Sequence, residues 1–524
     1  MRHLVRRALV PGLIAGLTVI SSAGVPAAAP DPPEEATYLV VLDEDGQAAG
    51  LQAVEEAGGR VLDLNKLGIA RVASTDPGFA STLRSTGVVS AVGDDGGFHV
   101  EPLDVVAGPD QVPGPEMAGD CAAQFGVPVG VGPDQLSACQ WDMRMINASP
   151  SGSYEVNRGE GATIGIIDTG VDFTHPDIAP NLDLGLSCSF ITPTNPAAIP
   201  QDIDPTGACL TKSATQDFFG HGTHVAGIAA APINGLGVAG VAPEATLVSL
   251  KVCATGGFCF TKEVTDALIY AGDNGLDVAN LSLFADPFLF NCKNEADQRA
   301  IVQAISRAAT YATQQGVVVV ASAGNEATDL DHPQIDEISP DFPAGAAVTR
   351  DVGNQCIVLP AELPNVTTVS AIGPQGKLSF YSNFGNAAVD ITAPGGSSGQ
   401  APNPFGRVLN AWGAEAPPLS TTLRRLVEDC ATIGGSTVCA LYGWIQGTSM
   451  SAPHASGVAA LIRSAHPDMP SMSVAARLQN TAIPMVCEEE QDPFTDPPKP
   501  CTGGPGQTNF YGSGLVDALA AGQA

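Results

Sequence analysis

Apolar residues in this chain gather in short unbroken runs separated by stretches of helical spacing. Thr163-Ile164-Gly165-Ile166-Ile167, Thr246-Leu247-Val248-Ser249-Leu250-Lys251-Val252, Val278 to Leu283 and Val317-Val318-Val319-Val320-Ala321 are each of strand length. Continuous runs of this kind, rather than strict alternation, read as strands buried on both faces. Helical patterns lie among them at His224 to Ala231, Glu263 to Asn274 and Asp297 to Gln315. Strands alternating with helices predict an α/β domain with a mainly parallel sheet covered on both sides, over residues 139–524. Residues 35–96 follow another pattern. Strands at Tyr38 to Leu42, Gly59 to Leu62, Gly68 to Val72 and Val88 to Val92, with helices at Gly50 to Ala57 and Phe79 to Ser85, give the order βαββαβ. That is the ferredoxin-like order of a small α+β unit. Residues 97–138 are rich in Pro, Gly, Asp and Val without periodicity and read as a linker.

The N-terminus changes the setting. Arg2, Arg6 and Arg7 precede an apolar run from Ala8 to Ile20, and Ala27-Ala28-Ala29 follows. This is the three-part pattern of a signal peptide, residues 1–29, and predicts a secreted, extracellular protein. The run is too short to span a bilayer. The 12 cysteines agree with export, since all fall at or after Cys121 and none forms a CxxC pair. Pairing of sequence neighbours is the simplest expectation: Cys121/Cys139, Cys188/Cys209, Cys253/Cys259, Cys292/Cys356, Cys430/Cys439 and Cys487/Cys501. Spacing alone does not decide connectivity. The 524-residue chain has 23 Lys plus Arg against 55 Asp plus Glu, a net charge of −32. Nucleic acid and anionic membranes are excluded as partners, because both need clustered positive charge. Self-repulsion favours a soluble monomer.

Open parallel sheets build their sites at the carboxyl ends of strands. Asp168 directly follows the run Ile164 to Ile167, and Asn325 follows Val317 to Ala321 in Ala323-Gly324-Asn325. His221 lies in Gly220-His221-Gly222-Thr223-His224, ahead of a small-residue helix. Ser449 lies in Gly447-Thr448-Ser449-Met450-Ser451-Ala452-Pro453, just before the helix Gly457 to Ser464. A serine hydroxyl needs a base to become a nucleophile. Histidine has the right pKa, a carboxylate fixes its tautomer, and an amide can hold an oxyanion. Each residue alone is more often structural; the strings taken together and in order are specific.

Asp-Thr-Gly at 168–170, His-Gly-Thr-His at 221–224 and Gly-Thr-Ser-Met-Ser-Ala-Pro-His at 447–454 resemble the three signature blocks of the subtilisin-like serine proteases. The resemblance covers residues 139–524 and implies a three-layer α/β/α fold and hydrolysis of peptide bonds in proteins or peptides through an acyl-enzyme. It implies Ser449 as nucleophile, His221 as base then acid, Asp168 as its orienting carboxylate and Asn325 as oxyanion donor, with no cofactor for catalysis. Ala323 and Gly324 belong to the oxyanion block. Ser282-Leu283-Phe284 stands where the family pairs with an extended substrate, and the bulky Phe284 replaces a usual glycine beside the P1 pocket. Residues 35–96 are similar to the inhibitory prodomain of secreted subtilases, so the chain's own N-terminal unit is an expected partner. Asp177 and the turn from Ala231 to Val238, with Asn234, resemble a family calcium loop of the kind that suits a hard cation. The chain between Pro394 and Gly447 is extra and reads as a surface insertion. A dead protease scaffold turned binding protein finds little support, because all four residue types are present. A processing protease of narrow specificity stays open.

Overall fold

The computed structural model describes residues 35–95, 97–99, 112–193, 195, 198–285, 288–339, 347–419, 425–488 and 490–523. The predicted signal segment lies outside them. Seven parallel strands form the central sheet, in the order Ile391–Pro394, Val366–Ile372, Val318–Ser322, Val278–Leu281, Thr163–Asp168, Thr246–Lys251, Cys188–Ser189. The apolar runs are continuous because both faces are covered. Val318 and Val320 point into the core shared with the helices His221–Ala230 and Thr448–Ala465. Val317, Val319 and Ala321 point into the opposite core, under the helices Thr261–Asp273 and Ala296–Gln314. From Thr163–Asp168 the chain pairs first with Thr246–Lys251 on one side, then with Val278–Leu281 on the other. The crevice at this reversal lies beyond the strand's carboxyl end, which is Asp168.

Residues 36–94 fold as strand, helix, strand, strand, helix, strand, with an antiparallel sheet ordered Arg60–Leu64, Ile69–Ser74, Ala36–Leu42, Val89–Asp94. Tyr38, Val40 and Leu42 face the unit's own core with Phe79 and Leu83. Leu39 and Val41, with Ile69 and Ala91, join the core under the helices Thr261–Asp273 and Ala296–Gln314 instead. The seam also carries ion pairs. Buried Arg71 joins Asp95 to Glu263, the latter at 2.5 Å, and Lys262 meets Asp63 at 2.5 Å. Lys66 pairs with Asp273, and Arg84 with Asp297.

The stretch expected to be a linker is largely structured where it is described. Gly97–His99 is a strand, and Gly114–Phe125 is a helix tied down by the Cys121–Cys139 disulfide. All six neighbour pairings of cysteine are disulfides. The inserted segment contributes a hairpin, Leu426–Ile433 with Ser436–Ile445, whose second strand pairs with Val408–Trp412. Among the described residues no helix is long and apolar enough to cross a membrane.

Candidate active site

Asp168, His221, Ser449 and Asn325 come from four separate segments, and the helices that carry His221 and Ser449 pack in one core. Asp168 ends its strand fully buried, and both its carboxylate oxygens face His221 Nδ1, at 2.8 and 3.0 Å. The Thr169 N–H donates to Asp168 Oδ1 at 2.7 Å and fixes the carboxylate's rotation. His221 opens its helix after Gly220, which sits at φ 98°. The next residue must be glycine, because a Cβ on Gly222 would lie 2.1 Å from the Gly170 carbonyl. Among the described residues His221 Nε2 is buried with no hydrogen-bond partner.

Ser449 lies inside the first turn of its helix, which starts at Thr448, nine residues ahead of the expected start. Pro453 does not end this helix. It has no N–H for the carbonyl four residues back, which is that of Ser449. The Ser282 hydroxyl donates to that carbonyl at 2.8 Å instead, and the Ser449 hydroxyl donates to the Ser282 carbonyl at 3.2 Å. The Ser449 hydroxyl therefore rests on Ser282 rather than on His221. Its own backbone N–H is one of the orphan donors of a helix start.

Asn325 Oδ1 accepts from the Thr448 N–H at 2.8 Å and from the Thr448 hydroxyl at 2.9 Å. Since both contacts are donors, they fix the amide's orientation and turn Nδ2 away from Thr448. Gly324, at φ 98°, donates to the Thr448 hydroxyl at 3.2 Å, and the Ala323 N–H donates to the Val369 carbonyl at 3.1 Å. Leu283 is buried in the core under Thr261–Asp273, and Phe284 is buried in a rim strand. That rim is not open. Gly97–His99 lies antiparallel between Phe258–Phe260 and Phe284–Ala285, with His99 opposite Phe284.

Two residues missed in the sequence, Asp217 and Thr169, brace the Asp168–His221 pair. Buried Asp217 accepts from the backbone N–H groups of Phe219 (2.9 Å), Gly220 (2.8 Å) and Thr223 (2.9 Å), and from the Thr223 hydroxyl (2.6 Å). It also accepts from the Thr169 hydroxyl at 3.0 Å, which in turn accepts the Gly222 N–H at 2.9 Å. An Asp four residues before the helix start was the available signal. The other histidines of the blocks are supports. Burial pushes His224 down to about 3, and it contacts the Gly443 carbonyl at 3.0 Å. His454 bridges the Met450 carbonyl (2.8 Å) and Asp142 (3.1 Å). Burial also lowers His175, which contacts the Leu441 carbonyl.

Asp177 and Asn234 do meet, but as hydrogen-bond partners: Asn234 Nδ2 donates to Asp177 Oδ1 at 2.8 Å. The Val238 N–H (3.2 Å) and the Tyr442 hydroxyl (2.7 Å) take Asp177 Oδ2. Both carboxylate oxygens are engaged by donors, an arrangement that does not fit a calcium ion. Among the described residues no group of three or more His, Cys, Asp or Glu side chains is arranged to hold a metal.

The fold is a three-layer α/β domain with a mainly parallel sheet. The profile of the subtilase family, Peptidase_S8, matches residues 159–514, and the chain belongs to that family. It is 30% identical over 381 residues to M-protease of Shouchella clausii, covering 73% of this chain and 69% of that one. It is 29% identical to Subtilisin Savinase of Lederbergia lenta, over 73% of this chain and 97% of that one. The epidermin leader peptide processing serine protease of Staphylococcus aureus shares the fold, with a TM-score of 0.62 at 22% identity over 93% of this chain and 98% of that one. The protein is a serine endopeptidase.

Proposed function

We propose that the chain is an exported endopeptidase made as a self-inhibited precursor, with Ser449, His221, Asp168 and Asn325 as its catalytic residues. The observation that carries this reading is the Asp168–His221 contact, which leaves Nε2 of a correctly held imidazole free beside the serine helix. In the reaction the Ser449 hydroxyl turns from the Ser282 carbonyl to His221 Nε2 and gives up its proton as its oxygen attacks the scissile carbonyl. Asp168 steadies the imidazolium. Asn325 Nδ2 and the Ser449 N–H hold the oxyanion. His221 then protonates the leaving amine, and water repeats the sequence to release the acid. No metal or cofactor takes part in these steps.

The strand Gly97–His99 supports the precursor reading. An extended peptide that adds a strand between two rim strands binds by main-chain hydrogen bonds, as a substrate would, and closes the cleft. The seam of buried apolar residues and ion pairs around Arg71 holds the N-terminal unit in register with that strand. Export is supported by the Arg-rich start, the apolar run and six disulfides, and a monomer by the net charge of −32. The Ser449→Ala precursor tests the scheme. In a host without other proteases it is expected to keep the unit 35–96 attached, while the parent loses it. Removal at the parental site from the variant would show that cleavage is not self-catalysed.

A further inference from the structure

The loop 231–238 and the inserted hairpin explain each other. A hard cation is held by about six to eight oxygens turned inward. This loop turns its N–H groups to side-chain oxygens instead. The Asn234 and Gly235 N–H groups donate to Asp134 Oδ1 at 3.1 and 2.6 Å. Leu236 N–H donates to Asn234 Oδ1 at 2.9 Å, Gly237 N–H to Asp429 Oδ2 at 2.9 Å and Val238 N–H to Asp177 Oδ2 at 3.2 Å. The N–H groups of Asn234 to Val238 are thus all spent on acceptors. Two donors of the loop, Asn234 Nδ2 and the Val238 N–H, point at the Asp177 carboxylate itself, where their positive ends oppose a cation. The Leu236 contact also fixes the Asn234 amide. Its oxygen is used within the loop, and its Nδ2 faces Asp177.

The remaining partner of Asp177 comes from the insertion. Tyr442 lies on the strand Ser436–Ile445, is fully buried, and stacks edge-on against His175 at 5.5 Å. Its hydroxyl donates to Asp177 Oδ2 at 2.7 Å. A Cβ at Gly237 would stand 2.0 Å from that hydroxyl, so loop and tyrosine fit only with glycine there. The strand that delivers Tyr442 is braced by the Cys430–Cys439 disulfide between directly paired residues, and its neighbour supplies Asp429. We propose that this loop is held without metal, the Tyr442 hydroxyl from the inserted hairpin serving Asp177 where relatives are expected to use a cation. The insertion thereby acquires a structural role, because it substitutes a covalently braced protein donor for an exchangeable ion.

Thermal unfolding of the full chain tests this, in the Ser449→Ala background to prevent self-digestion, with excess calcium and with EGTA. The difference in Tm between the two conditions should be the same in the parent and in Asp177→Asn, and also in Asn234→Ala should the first variant fail to fold. Tyr442→Phe should lower Tm by about 2–4 °C in EGTA, the scale of losing one buried hydrogen bond to a carboxylate in a domain of this size. A calcium-dependent gain in the parent that either loop variant removes would overturn the proposal. So would a Tyr442→Phe variant with parental Tm in EGTA.

Discussion

Ser449→Ala is expected to lower kcat by about 10⁶ while leaving the fold intact, a size taken from subtilisin, the family's namesake. The structure explains why stability should survive. The Ser449 hydroxyl makes a single 3.2 Å bond to the Ser282 carbonyl, whereas the bond that holds the helix start, from the Ser282 hydroxyl to the Ser449 carbonyl, uses main-chain atoms of Ser449. Steady-state hydrolysis of a peptide substrate, with thermal unfolding alongside, checks both halves. Near-parental turnover would remove Ser449 from the mechanism.

Asn325→Leu should lower kcat by about 10²–10³ with little change in KM, again the subtilisin value for loss of one oxyanion donor. The amide meets charge that exists only in the transition state, so its loss spares ground-state binding. Asn325 also anchors Thr448 through Oδ1, and a leucine removes both roles. Asn325→Asp separates them, since it keeps the acceptor and lacks the N–H. A similar fall in kcat for the aspartate variant assigns the effect to the donor. A change confined to KM would make Asn325 a substrate-binding residue.

The parallel sheet was legible because its signal is local: runs such as Val317 to Ala321 are apolar throughout when both faces are buried. The four candidate residues stood out as strings next to strand ends and helix starts. What escaped depends on distant partners. Gly97–His99 becomes a strand only because Phe258–Phe260 and Phe284–Ala285 flank it, far along the chain. The helix Gly114–Phe125 did carry local marks, Pro115 in its first turn and Gly126 at φ 64° after its end, but they were hidden in a stretch read as Pro/Gly-rich linker. The loop at Asn234 matched a calcium pattern in sequence, while the groups that decide its chemistry, Asp134, Asp429 and Tyr442, are remote from it in the chain. The early helix start at Thr448 was obscured by Pro453, whose missing N–H is compensated from another strand end.

In this mechanism Ser449 is a nucleophile activated by His221. Treating the processed enzyme with a serine-directed fluorophosphonate and mapping the adduct by peptide mass spectrometry tests it most directly. One adduct is expected, on Ser449, formed in step with loss of activity and absent from His221→Ala. Inactivation with the label on another residue, or labelling of Ser449 that is as fast without His221, would contradict it.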